Sequence, residues 1–165
     1  MSKISTEKSS FLAKLAKEGK LEIVEPSDEI CSAYLDKAEK SLKSARILLE
    51  NELYENSVSM SYYTMYNSLT ALLFKTGIKC ENHAGSIILF RRLFRKDSLY
   101  RTISFAKKER VDKQYYVDFK LTAESARDLL EKAERFLVEM KFIIANIRTS
   151  AINEIRNRLK IMIRV

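Results

Sequence analysis

One histidine, one proline, three glycines and no tryptophan occur among the 165 residues, and each shortage removes a class of protein. Tight turns depend on glycine and proline, so so few of them argue against an all-β fold and for helices. Gly19, Gly77 and Gly85 are scattered along the chain, which excludes a glycine-rich phosphate loop or a dinucleotide fingerprint. With His83 as the single histidine, no HExxH zinc helix can be written, and a Ser-His or Cys-His mechanism has one candidate base. Cys80 and His83 make a C-x-x-H half-site that lacks further ligands, so no metal and no cofactor is expected. Two cysteines are too few for a disulfide framework. Cys31 and Cys80 fall at the same end of an expected helix pair, which permits a bridge, while a reducing cytosol favours two thiols. No apolar run reaches bilayer length, and the N-terminus is too charged for a signal peptide. A cytoplasmic protein without integral membrane association is therefore expected.

Cations are what the chain has in excess. Lys and Arg number 30 against 22 Asp and Glu, a net charge of +8 at pH 7, which favours polyanion partners and says nothing of the fold. A single glutamine amid abundant Lys, Glu, Arg and Ile is a thermophile-like balance. The length suits one domain with a core of its own.

The central stretch is Leu53 to Gly77. Val58, Tyr62, Met65, Tyr66, Leu69, Leu72 and Leu73 repeat at three and four residues, the spacing of one helix face. Met60, Tyr63, Ala71 and Phe74 lie off that stripe, so this helix is expected to have neighbours on both flanks. Tyr62, Tyr63 and Tyr66 read as core packing with hydroxyls at the rim, and Gly77 as the helix stop. Pro26-Ser27, followed by Asp28 and Glu29, opens an earlier helix striped by Ile30, Tyr34, Ala38, Leu42, Ala45 and Leu49. The short link between the two predicts an antiparallel hairpin.

Residues 1–26 read as an arm, a short helix around Phe11, Leu12 and Leu15 and then an extended Leu21–Glu25. After Gly77 a loop (78–82) is expected, then a third helix from His83 to Arg95, and a short helix plus loop from Leu99 to Tyr116. Thr122 caps the last segment, whose apolar stripe runs from Ala126 to Ile147 at near-heptad spacing. Residues 27–147 then form the bundle. With neither glycine nor proline to Val165, the helix either bends near Arg148-Thr149-Ser150 or runs beyond the domain. Its tail, 148–165, is a basic amphipathic helix for which dimerisation is the preferred use; folding back on the bundle is the alternative.

Glu52-Leu53-Tyr54, Ser61-Tyr62-Tyr63-Thr64-Met65-Tyr66 and Leu72-Leu73-Phe74-Lys75-Thr76-Gly77 ahead of His83, with Arg110-Val111-Asp112-Lys113-Gln114-Tyr115 later, resemble the HEPN domains. These are small all-helical prokaryotic proteins often encoded beside minimal nucleotidyltransferases. The resemblance runs from about Tyr34 to Lys141. It implies an all-α, up-and-down antiparallel bundle of four to five helices with a long C-terminal helix. A homodimer and a nucleotidyltransferase partner in a toxin–antitoxin pair are also implied.

Many members are metal-independent RNases with an arginine and a histidine four to six residues apart. Here Arg110 is followed at that spacing by Tyr115, whose ordinary pKa of about 10 makes a poor base. The resemblance therefore implies a non-catalytic or weakly active protein that binds nucleotide or RNA. An RNase with a degenerate R-x4-Y motif and a purely structural dimer are the alternatives. Arg110 is the expected phosphate contact, with Tyr115 and Tyr116 lining the site, Lys107 and Lys108 beside them and His83 in support; cations interleaved with aromatics can hold phosphates and stack bases.

Overall fold

The computed structural model describes residues 11–115 and 121–164, with the backbone alone at 111–115. A short helix α1 (11–17) leads through Gly19 to strand β1 (Leu21–Ile23), then helices α2 (Asp28–Glu50) and α3 (Tyr54–Lys75). Strand β2 (Ile78–Cys80) and helix α4 (His83–Leu89) follow, and α4 passes directly into a wider π-turn, Phe90–Phe94. Helices α5 (Asp97–Tyr115), α6 (Ala123–Asn146) and α7 (Thr149–Ile163) complete the chain. The architecture is all-α, as expected.

Ser27 starts α2 by accepting the Ile30 N–H at 3.1 Å, with Asp28 and Glu29 in the positive first turn. Lys75, in the last turn of α3, reaches Asp28 at 2.5 Å. Along the same seam Tyr34 stacks on Phe74 and Ser57 donates to the Ala45 carbonyl. These cross-links run in opposite senses along the two helices, so the hairpin is antiparallel. Its turn places Glu52 at φ +59, a conformation glycine adopts without strain.

Helix α3 is central because it is buried on several sides. It packs against α2, α6, α5, α4 and β2, and Tyr62, Met65, Leu69 and Leu72 are fully buried. Between those side chains its buried faces carry small hydroxyl residues. Thr64, Ser68 and Thr70 turn their hydroxyls back onto carbonyls of their own helix, which satisfies them and lets neighbours approach closely. Helix α6 lies along this pair, tied to α2 by Arg46–Glu134 (2.8 Å) and Lys141–Glu39.

Several expectations need correction. Residues 78–80 are not loop: they pair antiparallel with β1 in the register Leu21↔Cys80, Glu22↔Lys79, Ile23↔Ile78. Both segments alternate apolar and charged residues, and on the wet face Lys79 meets Glu22 and Glu81 at 3.2 and 2.9 Å. The expected third helix to Arg95 becomes a seven-residue α-helix and the π-turn, ended by Arg95 at φ +54. From Asp97 a single 19-residue helix replaces the expected short helix and loop. Among its described side chains the buried stripe is Leu99, Ile103 and Ala106, too thin to stand out in sequence.

Thr122 caps α6, accepting the Ser125 N–H at 3.1 Å. The long C-terminal helix is in fact two. Ile147 and Arg148 are extended, and the Asn146 side chain donates to the Phe142 carbonyl, satisfying the end of α6. After the break α7 folds back: Ile155 and Leu159 are buried in the same chain, and α7 packs on the π-turn. Arg156 locks it there by donating to the Val24 and Gly77 carbonyls. The apolar face reserved for a second copy is thus occupied by the chain itself. Among the described residues no helix is long and apolar enough to cross a membrane.

Candidate functional site

Four aromatic rings and the Arg110 guanidinium meet where α3, α4 and α5 converge, with the Lys107 charge in reach. Asn82 begins α4 by accepting the Gly85 N–H at 2.8 Å, which sets His83 at the head of that helix facing α3. The imidazole stacks on Tyr66 with ring centroids 3.7 Å apart and planes 11° from parallel. Its Nδ1 lies 2.7 Å from the Tyr62 hydroxyl, and Tyr63 meets it edge-on at 6.3 Å. Tyr62 and Tyr66 share a face of α3 because they are four residues apart, and Tyr63 is the next residue around.

From α5, Arg110 lays its guanidinium over the rings of Tyr62 (5.5 Å) and Tyr63 (4.9 Å). Such a contact orients the cation and leaves its N–H edges able to hold a phosphate. Burial pushes the Tyr62 hydroxyl well above its ordinary range, the Arg110 charge opposing only weakly, and burial raises Tyr66 too. Both stay neutral donors and acceptors. His83 moves the other way: burial first, then the charges of Arg110 and Lys107, lower its pKa. The site at neutral pH therefore holds an uncharged imidazole beside two fixed positive charges.

Of the residues expected from sequence, the fold brings together His83, Arg110 and, within electrostatic reach, Lys107. Lys108 is exposed on another face of α5. The Tyr115 side chain and all of Tyr116 lie outside the described residues. Sequence reasoning assigned Tyr62, Tyr63 and Tyr66 to packing. Tyr62 is indeed fully buried, but Tyr63 and Tyr66 are only half-buried and line the site. The signal that could have found them is the placing of three tyrosines within five residues on the helix that faces His83.

The Cys80 thiol donates to the Asn82 carbonyl at 3.5 Å, and both cysteines are buried free thiols. Among the described residues no three His, Cys, Asp or Glu side chains gather as a metal ion would require.

The His83 shift has a measurable consequence. Because its folded pKa lies below the ordinary value of about 6.5, the unfolded chain binds the proton more readily. Stability is then complete above that ordinary value and falls as pH drops below it. Melting temperature should decline below about pH 6.5, ahead of any carboxylate titration, and His83→Gln should flatten that part of the profile. Identical profiles for both proteins between pH 7 and 5 would contradict this.

Residues 31–143, well over half of the chain, match the family model of the HEPN domain. A protein named "Putative toxin" from Methanocaldococcus jannaschii is 33% identical over 118 residues, 68% of this chain and 87% of that protein. A second of that name from the same organism is 32% identical over 112 residues, covering 65% and 76%. A UPF0332 protein of Thermotoga maritima is 26% identical over 128 residues, 73% of this chain and 96% of its own length. With its helices in the implied order and the family pattern matched from α2 to α6, the chain belongs to the HEPN domain family.

Proposed function

We propose that this is a toxin-type HEPN protein that holds RNA or nucleotide at the cluster of Arg110, Lys107, His83 and the α3 tyrosines, and that it works with a minimal nucleotidyltransferase. The observation that carries the binding reading is the Arg110 guanidinium spread over Tyr62 and Tyr63 beside an uncharged His83. A cation held flat over aromatic rings suits phosphate, and half-buried tyrosines suit a base or ribose. The net charge of +8 favours the same class of ligand. The toxin-type role rests on the names of the relatives, and the nucleotidyltransferase partner on the family resemblance. A homodimer remains part of this reading, with Val138 and Phe142, one turn apart on α6 and 67% and 70% exposed, as an apolar face the chain leaves uncovered.

The test is binding of a labelled RNA oligomer and of ATP across a salt series. Affinity for RNA should fall linearly with salt on logarithmic axes. Arg110→Ala should weaken binding by about tenfold or more, the worth of a hydrogen bond to a charged group. Arg110→Lys should restore it only in part, because an ammonium does not spread over the rings. Unchanged binding by Arg110→Ala would remove the site from this cluster.

One observation favours RNA cleavage as a second reading. In the neutral tautomer whose Nδ1–H donates to the Tyr62 hydroxyl, the imidazole can accept a ribose 2′-hydroxyl proton at Nε2 while Arg110 holds the phosphate. The same oligomer incubated in chelator should then yield product that His83→Gln abolishes.

A further inference from the structure

Helix α5 carries a second cation–aromatic pair. Arg91, in the π-turn after α4, places its guanidinium 4.8 Å from the centre of the Tyr100 ring. Its side chain is 51% exposed, and Nε lies 3.5 Å from Asp97. Tyr100 is half-buried, so its ring backs a guanidinium that is itself half exposed to solvent.

Tyr100, Ser104 and Lys107 are spaced four and three residues apart and share one face of α5. Two turns, roughly 10 Å of helix, separate Tyr100 from Lys107, and Lys107 is the residue whose charge reaches His83. One face of α5 therefore joins Arg91 and Tyr100 at one end to Lys107 and the Arg110–tyrosine cluster at the other. Between them on that face stands Ser104, with no acidic side chain. Arg95 and Lys96, both exposed, extend the positive charge beyond Arg91.

We infer that Arg91 and Tyr100 form a second nucleotide subsite, and that the ligand of the site is a single strand of RNA several nucleotides long. This rests on the binding function proposed above and deepens it. Cations spaced along a groove with aromatics between them are what a flexible phosphate chain requires, whereas one phosphate group is served by Arg110 and Lys107 alone. Asp97 competes with the incoming phosphate for the Arg91 edge, so the subsite is weakened by its own carboxylate.

The test compares an oligouridylate octamer with uridine monophosphate across a salt series, for the unaltered protein and for Arg91→Gln, Asp97→Asn and Arg110→Ala. Arg91 and Asp97 are exposed, and thermal melts establish that the variants fold. Arg91→Gln should weaken the octamer roughly fivefold, the worth of a partly screened ion pair, and leave the monophosphate unchanged. Its logarithmic salt slope should become shallower by about 0.7, the value for one phosphate contact on a single strand. Asp97→Asn should tighten the octamer alone. If Arg91→Gln binds the octamer like the unaltered protein while Arg110→Ala loses both ligands, the subsite is refuted and the binding function stands. Equal weakening of both ligands by Arg91→Gln also refutes a separate subsite. If Arg110→Ala changes neither ligand, the binding site itself is wrong and the subsite falls with it.

Discussion

Replacing Gly77 by alanine is expected to lower stability by about 3 kcal/mol, made up of left-handed backbone strain of ~1–2 kcal/mol and a steric conflict. Gly77 sits at φ +73, and a Cβ there would come 2.5 Å from the Val24 carbonyl oxygen and 1.8 Å from Arg156 Nη1. The arginine end can swing aside, but doing so gives up its bonds to the Val24 and Gly77 carbonyls that hold α7 down. The Val24 oxygen belongs to backbone that also donates its N–H to Gly77 at 3.0 Å, so it cannot retreat without opening the ribbon. A chain of this size should lose roughly 6–12 °C in melting temperature. Gly19→Ala is the control: its φ is +68, but nothing lies within 4 Å, so only the strain remains. Equal losses for the two variants, or less than a degree or two for Gly77→Ala, would show that the close approach does not matter. The effect should reach the site as well, since Gly77 leads into β2 and then to His83.

Phe136→Ala should be more damaging still, by about 3–5 kcal/mol, the usual cost of emptying a buried aromatic position. Phe136 is 1% exposed on α6 and meets Phe90 edge-on with ring centroids 6.2 Å apart. Phe90 is the first residue of the π-turn and fully buried, so the cavity would open beneath the segment that continues α4. Circular dichroism should show a transition lower by roughly 10 °C or more. Under the binding function proposed above, RNA affinity at temperatures where the variant is folded should also fall, because His83 loses part of its support. Phe136→Leu, which fills most of the volume, should recover most of both losses. A variant that melted as the unaltered protein does would mean that α6 closes over the gap, contrary to the dense packing described.

Much of this molecule follows from local chemistry and was therefore legible before folding. The α2–α3 hairpin announces itself through strong stripes, the Ser27 cap and the Gly77 stop. Thr122 marks the start of α6 because a hydroxyl before an apolar stripe has few better uses. Helix α5 was harder, since Leu99, Ile103 and Ala106, the buried residues among its described side chains, stand among many charged ones and give little periodic signal. The residues offered a bend near Arg148-Thr149-Ser150 as one of two outcomes, with no proline or glycine there to decide it; the break falls there because Ile155, Leu159 and Arg156 find partners on the bundle.

The candidate site divides in the same way. Sequence alone determined an all-helical family member, its central helix and its one histidine, and the family resemblance singled out Arg110. Only tertiary structure decided that Arg110 lies over Tyr62 and Tyr63, 47 or more residues earlier in the chain, and that His83 stacks on Tyr66 beside them. The physical reason is that periodicity reports which face of a helix is apolar, not which neighbour that face meets. The neighbour depends on non-local packing, and so do the burial and the nearby charges that keep His83 neutral.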